Sequence, residues 1–388
     1  MIKLITAQTS EIDDPELAAE EIMSQIDTEH DLLKNSVGLI SCHYEYIEQS
    51  VTASLSGMLP FDVIGCTTLG SATNGGYGLE QLSLTILTSD DLIFATALSE
   101  EISKTNIEGA VSRVYDDARR KLPGDPSFII PLVPIMHDVS GEIVFKKLNE
   151  SGGGVPIFGT LSNDPSIGYE HSRTFRNEDS HRFKVALLLI YGRVDSVRFY
   201  TAAISDKNIQ KRLSVITGSD GYLLKEVDNM PVIEYLATLG VDTNYLSVVT
   251  TLPFLVDYRD GTRPTAVTMF SISESGAYCS NEMPVGAYLS FAEVDYDSVL
   301  ETAEKAVTQA LEDVDSNGAN GIIAIPCFSR CLMLNPNSED EMAKTSELIG
   351  DKVPFMFIYS GGEFCPVYDD DGKPVNRFHN VTYTLAVF

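Results

Sequence analysis

The sequence predicts a mixed α/β protein built from repeated β-α-β-turn-β modules, with mixed sheets covered by helices. Short apolar runs of strand length alternate with amphipathic helical stretches, which favours layered sheets and helices. Three segments also share one pattern, a proline before a strand and a glycine-bearing turn at or just after its end. They are LPFDVIG (59–65), VPIFGT (155–160) and VPFMFIYSGG (353–362).

The first repeat is predicted over roughly the first 121 residues. Its helix at 15–26 has Asp14 as a plausible N-cap and Pro15 in its first turn. A loop of small residues at 67–78 has unusual backbone freedom. The predicted elements are strand 1–6, helix 15–26, strand 36–42, helix 47–58, strand 62–66, paired strands 82–98 and helix 107–121.

The same order of elements returns twice more along the chain. The second repeat has strand 127–136, helix 141–150, strand 155–164 and paired strands 183–203; the third begins with helix 296–313 and continues to the C-terminus. A divergent segment, 213–292, separates them, and a hairpin about Arg259 is expected to border the pocket. We expect two pseudo-related halves, an N-terminal part (1–210) and a C-terminal part (211–388).

The formal net charge is −29, from 27 basic and 56 acidic residues. A surface this acidic repels phosphate backbones and anionic lipids, so we expect neither nucleic-acid nor membrane partners. An anionic ligand would need a locally positive pocket, which makes each arginine informative. No signal peptide is visible, and no apolar run approaches a membrane span of about 20 residues. Six cysteines are too sparse for a disulfide framework. A reduced, cytoplasmic protein is expected.

Reactive side chains cluster at predicted strand ends near the C-terminus. Strand ends are where layered α/β sheets hold ligands. Arg330 could bind a ligand carboxylate or form a structural pair with Glu363. Glu363, which follows two glycines, could receive an amino group or be satisfied by backbone N–H groups.

The other candidate residues at the strand ends could have more than one role. His379 could be a general base, a haem or metal ligand, or a packed polar residue. Cys327 could be a nucleophile activated by His379, but no third orienting group is apparent and the cysteine spacing does not fit zinc. The predicted ligand-binding residues are Arg330, Glu363, Cys327, Ser329, Gly362, His379, Asn380, Thr67, Thr68 and Asn163.

These stretches resemble FIST domains. The C-terminal part resembles them in FSRC (328–331), PFMFIYSGGEF (354–364) and FHNVT (378–382), and the N-terminal part in VGLISCHYE (37–45), LPFDVIGCTTLGSATNGG (59–76) and VPIFGTLSND (155–164). The resemblance implies a sensory module of intracellular signal transduction that binds an amino acid or a similar small carboxylate. It also implies that some members carry haem and respond to nitric oxide.

The resemblance therefore favours a non-enzymatic sensor with a small-molecule ligand. No cofactor is expected, with haem left open. No kinase, cyclase or methyl-accepting segment is visible, so the signal is expected to pass to a separate protein such as a kinase. Two alternatives stay open at this point: a Cys327/His379-dependent hydrolase or transferase, and a haem-based nitric oxide sensor.

Overall fold

Three modules with the same order of elements follow one another along the chain. The computed structural model describes residues 2–136, 139–166, 168–241 and 252–388. The first module comprises β1 (Lys3–Thr9), α1 (Pro15–Ser24), β2 (Asn35–Cys42), α2 (Glu45–Glu48), α3 (Val51–Met58), β3 (Val63–Thr67), β4 (Ser71–Thr73), β5 (Gly76–Gly78) and β6 (Leu82–Ser89). The second comprises β7 (Ile93–Leu98), α4 (Ile107–Arg119), β8 (Phe128–Val133), α5 (Gly141–Ser151), β9 (Gly159–Leu161), β10 (Thr174–Arg176), β11 (Asp179–His181) and β12 (Ala186–Tyr191).

The third module is interrupted by an insertion after its first strand. That strand is β13 (Arg198–Ala202), and a short 3₁₀ helix (Asp206–Asn208) follows it. The insertion contains β14 (Ser214–Asp220), β15 (Leu223–Val227), β16 (Met230–Pro231), α6 (Val232–Thr238), β17 (Leu252–Asp257), β18 (Thr265–Ser273), β19 (Gly276–Cys279) and β20 (Tyr288–Phe291). The module then resumes with α7 (Tyr296–Asn317), β21 (Ile322–Pro326), α8 (Phe328–Met333), α9 (Asp340–Ile349), β22 (Phe355–Ile358), β23 (Glu363–Tyr368), β24 (Pro374–His379) and β25 (Tyr383–Val387).

Each module forms the same four-stranded unit of a sheet. The strand orders are β1-β6-β2-β3, β7-β12-β8-β9 and β13-β25-β21-β22. In every unit the last two strands are parallel and the other neighbours are antiparallel. The parallel pairs are uninterrupted apolar runs because their strands are covered on both faces. Their carboxyl ends consequently carry the first polar residues that follow each buried run.

The modules exchange their short hairpins. The hairpin β4–β5 pairs with β22, β10–β11 with β3, and β23–β24 with β9. Each six-stranded sheet is therefore completed by a hairpin from another module. Gly65 in β3 is required at one such junction, since a Cβ there would overlap the ring of Phe175 in β10. This exchange brings the ends of β3, β9 and β22 close to one another.

The main core lies where the three sheets face each other. Its members include Leu39 from the first sheet, Phe128 from the second and Met356 from the third. Helices cover the outer faces, with α1 and α3 on the first sheet, α4 and α5 on the second, and α7 and α9 on the third. Within the described ranges no helix combines the length and apolar character needed to cross a membrane.

The insertion folds around a core of its own. Six strands close into a ring in the order β14-β20-β17-β18-β19-β15, because β15 also pairs with β14. Leu224, Phe254 and Leu289 are buried in its interior. Asn281 fastens the ring to the third module by donating to the Phe378 carbonyl at 2.8 Å. The ring therefore rests on the segment that joins β24 to β25.

The α/β prediction is confirmed, and the three segments with a proline before the strand are the equivalent strands β3, β9 and β22. The divergent segment predicted at 213–292 coincides with the insertion from β14 to β20. The three repeats predicted from the sequence correspond to the three modules. The strand β13 precedes the predicted boundary at 210 and nevertheless pairs with β25 in the third sheet.

Candidate functional site

The loops that follow the three parallel strand pairs are tied together by polar side chains. Asn163 donates to the Tyr359 carbonyl at 2.7 Å and accepts from the Leu69 N–H at 2.7 Å. The Thr68 hydroxyl also donates to the Tyr359 carbonyl, at 2.8 Å. Thr67 accepts from the backbone of Arg173 at 3.0 Å. The hydroxyls and the amide predicted to contact a ligand are thus engaged in joining the modules in this structure.

Gly362 lies where two of these loops approach each other closely. Its carbonyl accepts from the Leu161 N–H at 2.9 Å, and the Leu161 carbonyl accepts from Gly361 at 2.8 Å. A Cβ on Gly362 would stand 2.7 Å from the Phe378 ring. The glycine is therefore required by packing between protein segments.

Arg330 is fully buried and forms an ion pair with Glu341, not with Glu363. Its Nε and Nη2 atoms lie 2.8 and 2.7 Å from Glu341 Oε1. The other N–H groups donate to the carbonyl oxygens of Ala203, Val381 and Val299 and to the Thr302 hydroxyl. The guanidinium therefore already has partners on every side, and binding of a ligand carboxylate would require it to exchange them.

Glu363 begins β23 and is fully buried, and neither of its carboxyl oxygens has a hydrogen bond of ordinary geometry among the described residues. Burial raises the pKa of this carboxyl well above its usual value. The Cys327 thiol, the Thr382 N–H and the Arg330 charge favour the ionised form and lower the pKa by less. Glu363 is therefore a buried acid with capacity left to accept hydrogen bonds.

Cys327 is the first residue after β21 and is 2% exposed. Burial raises the pKa of its thiol, and the charge of Glu363 raises it further. The hydroxyl and N–H of Ser329 lower the pKa by stabilising the thiolate, to a smaller extent. The thiol and the carboxyl of Glu363 are thus neighbours: the neutral thiol favours the Glu363 carboxylate, whereas that carboxylate disfavours ionisation of the thiol.

Three further residues extend this site and were not among those predicted. Asp164 is 5% exposed, and its Oδ2 atom has no partner in the described structure. His43 is 7% exposed, and its Nδ1 atom likewise has none. Burial, together with the charges of Cys327 and Asp164, raises the pKa of Tyr169 to about 12, so Tyr169 is near both residues.

We refer to His43, Asp164, Tyr169, Cys327 and Glu363 as the strand-end cluster. His43 and Cys327 are equivalent, each following the inner strand of a parallel pair: the His43 N–H donates to the Gln81 carbonyl and the Cys327 N–H to that of Thr382. Burial lowers the pKa of His43, while Glu45 and Asp164 raise it by less. The signal for His43 was its place directly after β2, equivalent to that of Cys327 after β21.

His379 and Asn380 stand outside the cluster. His379 lies opposite Glu363 in the β23–β24 pairing, and its Nε2 atom is 2.9 Å from the Cys365 carbonyl. Burial lowers the pKa of His379 to about 4, so the imidazole is neutral at pH 7. Asn380 donates to the Ser280 hydroxyl at 2.8 Å and so fastens the insertion.

This arrangement corrects the predicted Cys327–His379 pair. The described structure contains no hydrogen bond between them; Cys327 adjoins Glu363 and Ser329 instead. The same geometry does not fit haem at His379. The Nε2 atom of this imidazole is hydrogen-bonded to the Cys365 carbonyl, and the side chain is buried in a packed core. His379 is therefore not suited to be a haem ligand.

Fold and site together define a three-module α/β protein with a buried polar cluster where its parallel strand pairs end. The model of the FIST N domain matches residues 36–230, and that of the FIST C domain matches residues 231–366. The chain belongs to the FIST family. FIST domains are associated with sensory signal transduction. The two matches meet at 230/231, within the insertion, whereas the sequence placed a boundary near 210.

Similarities to solved structures are weak. Cyanuric acid hydrolase from A. caulinodans aligns with 100% of this chain and 98% of its own, at 9% identity and a TM-score of 0.34. PurLQS from Thermotoga maritima aligns with 100% of this chain and 72% of its own, at 9% identity and a TM-score of 0.20. Scores this low do not assign an activity. No curated protein sequence matches the chain.

Proposed function

We propose that this protein is a sensory ligand-binding module whose strand-end cluster receives the protonated amino group of a small molecule, such as an amino acid. The observation that carries the proposal is Glu363, a fully buried carboxyl whose two oxygens make no hydrogen bond of ordinary geometry among the described residues, although the Cys327 thiol, the Thr382 N–H and the Ser360 hydroxyl are near enough to stabilise its ionised form. Buried polar groups are normally hydrogen-bonded, so an exception calls for a partner.

The charges of the cluster favour an amine over other ligand groups. Its unpartnered oxygens belong to the acids Glu363 and Asp164, and both accept hydrogen bonds when ionised. The nearest arginine, Arg330, is already paired with Glu341. A buried carboxylate is stabilised by an opposite charge with good hydrogen bonds. An ammonium group supplies both, whereas the carboxylate end of an amino acid would need donors other than Arg330.

Binding of an amine at Glu363 would be linked to pH. Without ligand, burial raises the pKa of the carboxyl and favours its protonated form. An ammonium ligand favours the carboxylate, so binding below the ligand-free pKa releases a proton. The affinity should therefore fall as the pH is lowered. Passing the signal to a separate protein, such as a kinase, remains part of the proposal.

The proposal is tested by a thermal-shift screen of amino acids and small primary amines, each paired with a neutral analogue of the same shape. A ligand at 100 times its dissociation constant adds about 2.7 kcal/mol to the free energy of unfolding. We expect an amine to stabilise the wild type and the control Glu347→Gln, which changes an exposed residue, but not Glu363→Gln. An equal response of Glu363→Gln, or no amine response at all, would overturn the proposal.

A further inference from the structure

A cavity of about 1000 Å³ opens between the insertion and the third module. One wall is the turn between β17 and β18 together with β20. The facing wall comes from β13, α7 and the turn between β23 and β24. This volume is at the upper end of the range for small-molecule sites. The cavity is separate from the strand-end cluster, none of whose residues line it.

Unpaired arginines are concentrated at this cavity. Eight of the thirteen arginines form an ion pair with a carboxylate: Arg113, Arg119, Arg120, Arg176, Arg193, Arg212, Arg330 and Arg377. Of the five without such a pair in the described structure, three line the cavity: Arg198, Arg259 and Arg263. These three arginines form no ion pair within the described ranges, although five acidic residues also line the cavity: Asp257, Glu312, Asp313, Asp369 and Asp370. We call this cavity the arginine cleft.

The three guanidinium groups keep donors available. Arg259 stacks on the ring of Tyr288 at 5.0 Å, a contact that leaves its N–H groups free. Arg263 is exposed, and no side-chain partner for it occurs in the described part of the chain. Arg198 uses Nη1 for the Asp195 and Val197 carbonyl oxygens, while its other nitrogens make no hydrogen bond there.

The backbone holds Arg259 towards the cleft. Its φ is +59°, in the left-handed region that few side chains adopt, and its N–H donates to Asp257 Oδ1 at 2.7 Å. At the next position Asp260 pairs with Arg377. This ion pair joins the turn to β24. The carboxylate of Asp260 is thus neutralised by Arg377, which does not line the cleft.

The facing wall limits the ligand. It carries Glu312 and Asp313 of α7 and Asp369 and Asp370 of the β23–β24 turn, which repel negative charge. It also carries Tyr200 and Tyr368, whose rings offer apolar surface. A ligand that fits both walls has its negative charge at one end and a neutral, aromatic or cationic remainder.

We propose that the arginine cleft binds a small organic molecule through an oxyanion, a carboxylate or a phosphate ester, held by Arg259 and Arg263 on the wall formed by the insertion. A guanidinium is suited to both groups because its N–H fork matches two oxygens at once. This site is independent of the amine site at Glu363. A FIST-family sensor with both sites would respond to two chemically different ligands, or to ligands at two positions.

The test uses isothermal titration calorimetry with benzoate and phenyl phosphate as probes, and benzamide and phenol as their neutral counterparts. We expect one of the two oxyanions to bind the wild type, with an affinity that falls as NaCl is raised. Preference for one probe identifies the carboxylate or the phosphate ester as the recognised group. The neutral counterparts should bind at least about tenfold more weakly, since each charge-assisted hydrogen bond lost changes affinity by about that factor.

Variants locate the site. Arg259→Gln/Arg263→Gln should weaken oxyanion binding by at least about tenfold. The matched control is Arg182→Gln, because Arg182 also stacks on an aromatic ring, Phe183 at 5.1 Å, and has no carboxylate partner in the described residues. It should bind as the wild type does. Binding of neither oxyanion, or equal binding by the double variant, would overturn the proposal.

The two proposed sites can be tested independently of each other. Glu363→Gln should retain oxyanion binding, while Arg259→Gln/Arg263→Gln should retain any amine response. An unchanged melting temperature of the double variant would show that loss of binding does not come from unfolding. If Glu363→Gln abolished oxyanion binding as well, the cleft would not be a separate site.

Discussion

The strand-end cluster and the arginine cleft use the same kinds of side chain in opposite ways. Beside the cluster, Arg330 is fully buried and binds Glu341, three carbonyl groups and a hydroxyl. In the cleft, Arg259 and Arg263 have no carboxylate partner in the described structure and lie beside open space. An arginine near a strand end is therefore not by itself a ligand-binding residue; the partners it already has decide what it does.

The acids differ between the two regions in a similar way. Glu363 in the cluster is buried without a hydrogen bond of ordinary geometry among the described residues, and burial raises its pKa. Asp260 beside the cleft pairs with Arg377; although its partial burial raises its pKa, hydrogen bonds from Thr262 and the Arg377 charge lower it on balance. The cluster therefore offers an unsatisfied acceptor, and the cleft offers unsatisfied donors.

The largest expected effect belongs to Arg330→Ala. This change leaves Glu341 buried without its ion-pair partner, so the free energy of unfolding should fall by about 3–5 kcal/mol. Urea denaturation at pH 7 measures the loss. The double variant Arg330→Met/Glu341→Met, which removes both charges, should recover part of it. A single variant within 1 kcal/mol of the wild type, on the order of a surface substitution, would contradict the structural role of Arg330.

His379→Gln should change the stability of the protein at acidic pH. Burial lowers the pKa of folded His379 to about 4, against about 6.5 when unfolded. Between these values only the unfolded chain binds the proton, so the wild type loses about 1.4 kcal/mol per pH unit on acidification. The glutamine keeps a donor for the Cys365 carbonyl without titrating. Denaturation curves from pH 7 to 4 should show the wild type losing stability relative to the variant; parallel curves would show that His379 is not a buried neutral imidazole.

Glu363→Gln should give a pH dependence of the opposite sign. Burial raises the pKa of the folded carboxyl, so above its unfolded value, about 4.5, the unfolded chain has released a proton that the folded protein keeps. The wild type should lose up to about 1.4 kcal/mol per pH unit relative to the variant as the pH rises, until the folded carboxyl itself ionises. Glu347→Gln is the exposed control and should have no such slope. If the difference in stability between the wild type and Glu363→Gln changed with pH as it does for Glu347→Gln, Glu363 would be in a solvated environment.

The smallest effect is expected in the cleft. Arg263→Gln removes an exposed side chain without a described partner, so the free energy of unfolding should stay within about 0.5 kcal/mol of the wild type. Urea denaturation of Arg263→Gln and Arg330→Ala under the same conditions compares the two losses of stability directly. A loss comparable to that of Arg330→Ala would mean that Arg263 anchors the insertion and is not available to a ligand.

Much of the fold could be predicted because its signals are local. The apolar runs that became β2, β8 and β21 are readable within a few residues, as is the turn between β23 and β24 at Asp369–Gly372. The three-copy pattern followed from the prolines and glycines around β3, β9 and β22. The exchange of hairpins between modules was not predicted, because the partner of a short strand depends on contacts between residues far apart in the chain.

The site was predicted in part. Cys327 and Glu363, both singled out in the sequence, lie beside each other, whereas the sequence left Arg330 with two alternatives, a ligand carboxylate or a pair with Glu363. The actual partner, Glu341, follows Arg330 by eleven residues in the chain, on a helix whose packing the sequence pattern does not reveal. His43 and Asp164 were missed because they come from modules separated by more than a hundred residues from Cys327.

The sequence by itself determined the class of the fold, the number of modules, the inserted segment and the family. These depend on periodicity, turn residues and motif spacing, which are properties of neighbouring residues. Only the tertiary structure decided which polar groups are satisfied. Whether Arg330, Glu363 or Arg259 has a partner depends on atoms brought together from distant segments, because hydrogen bonds and ion pairs form only within a few ångströms.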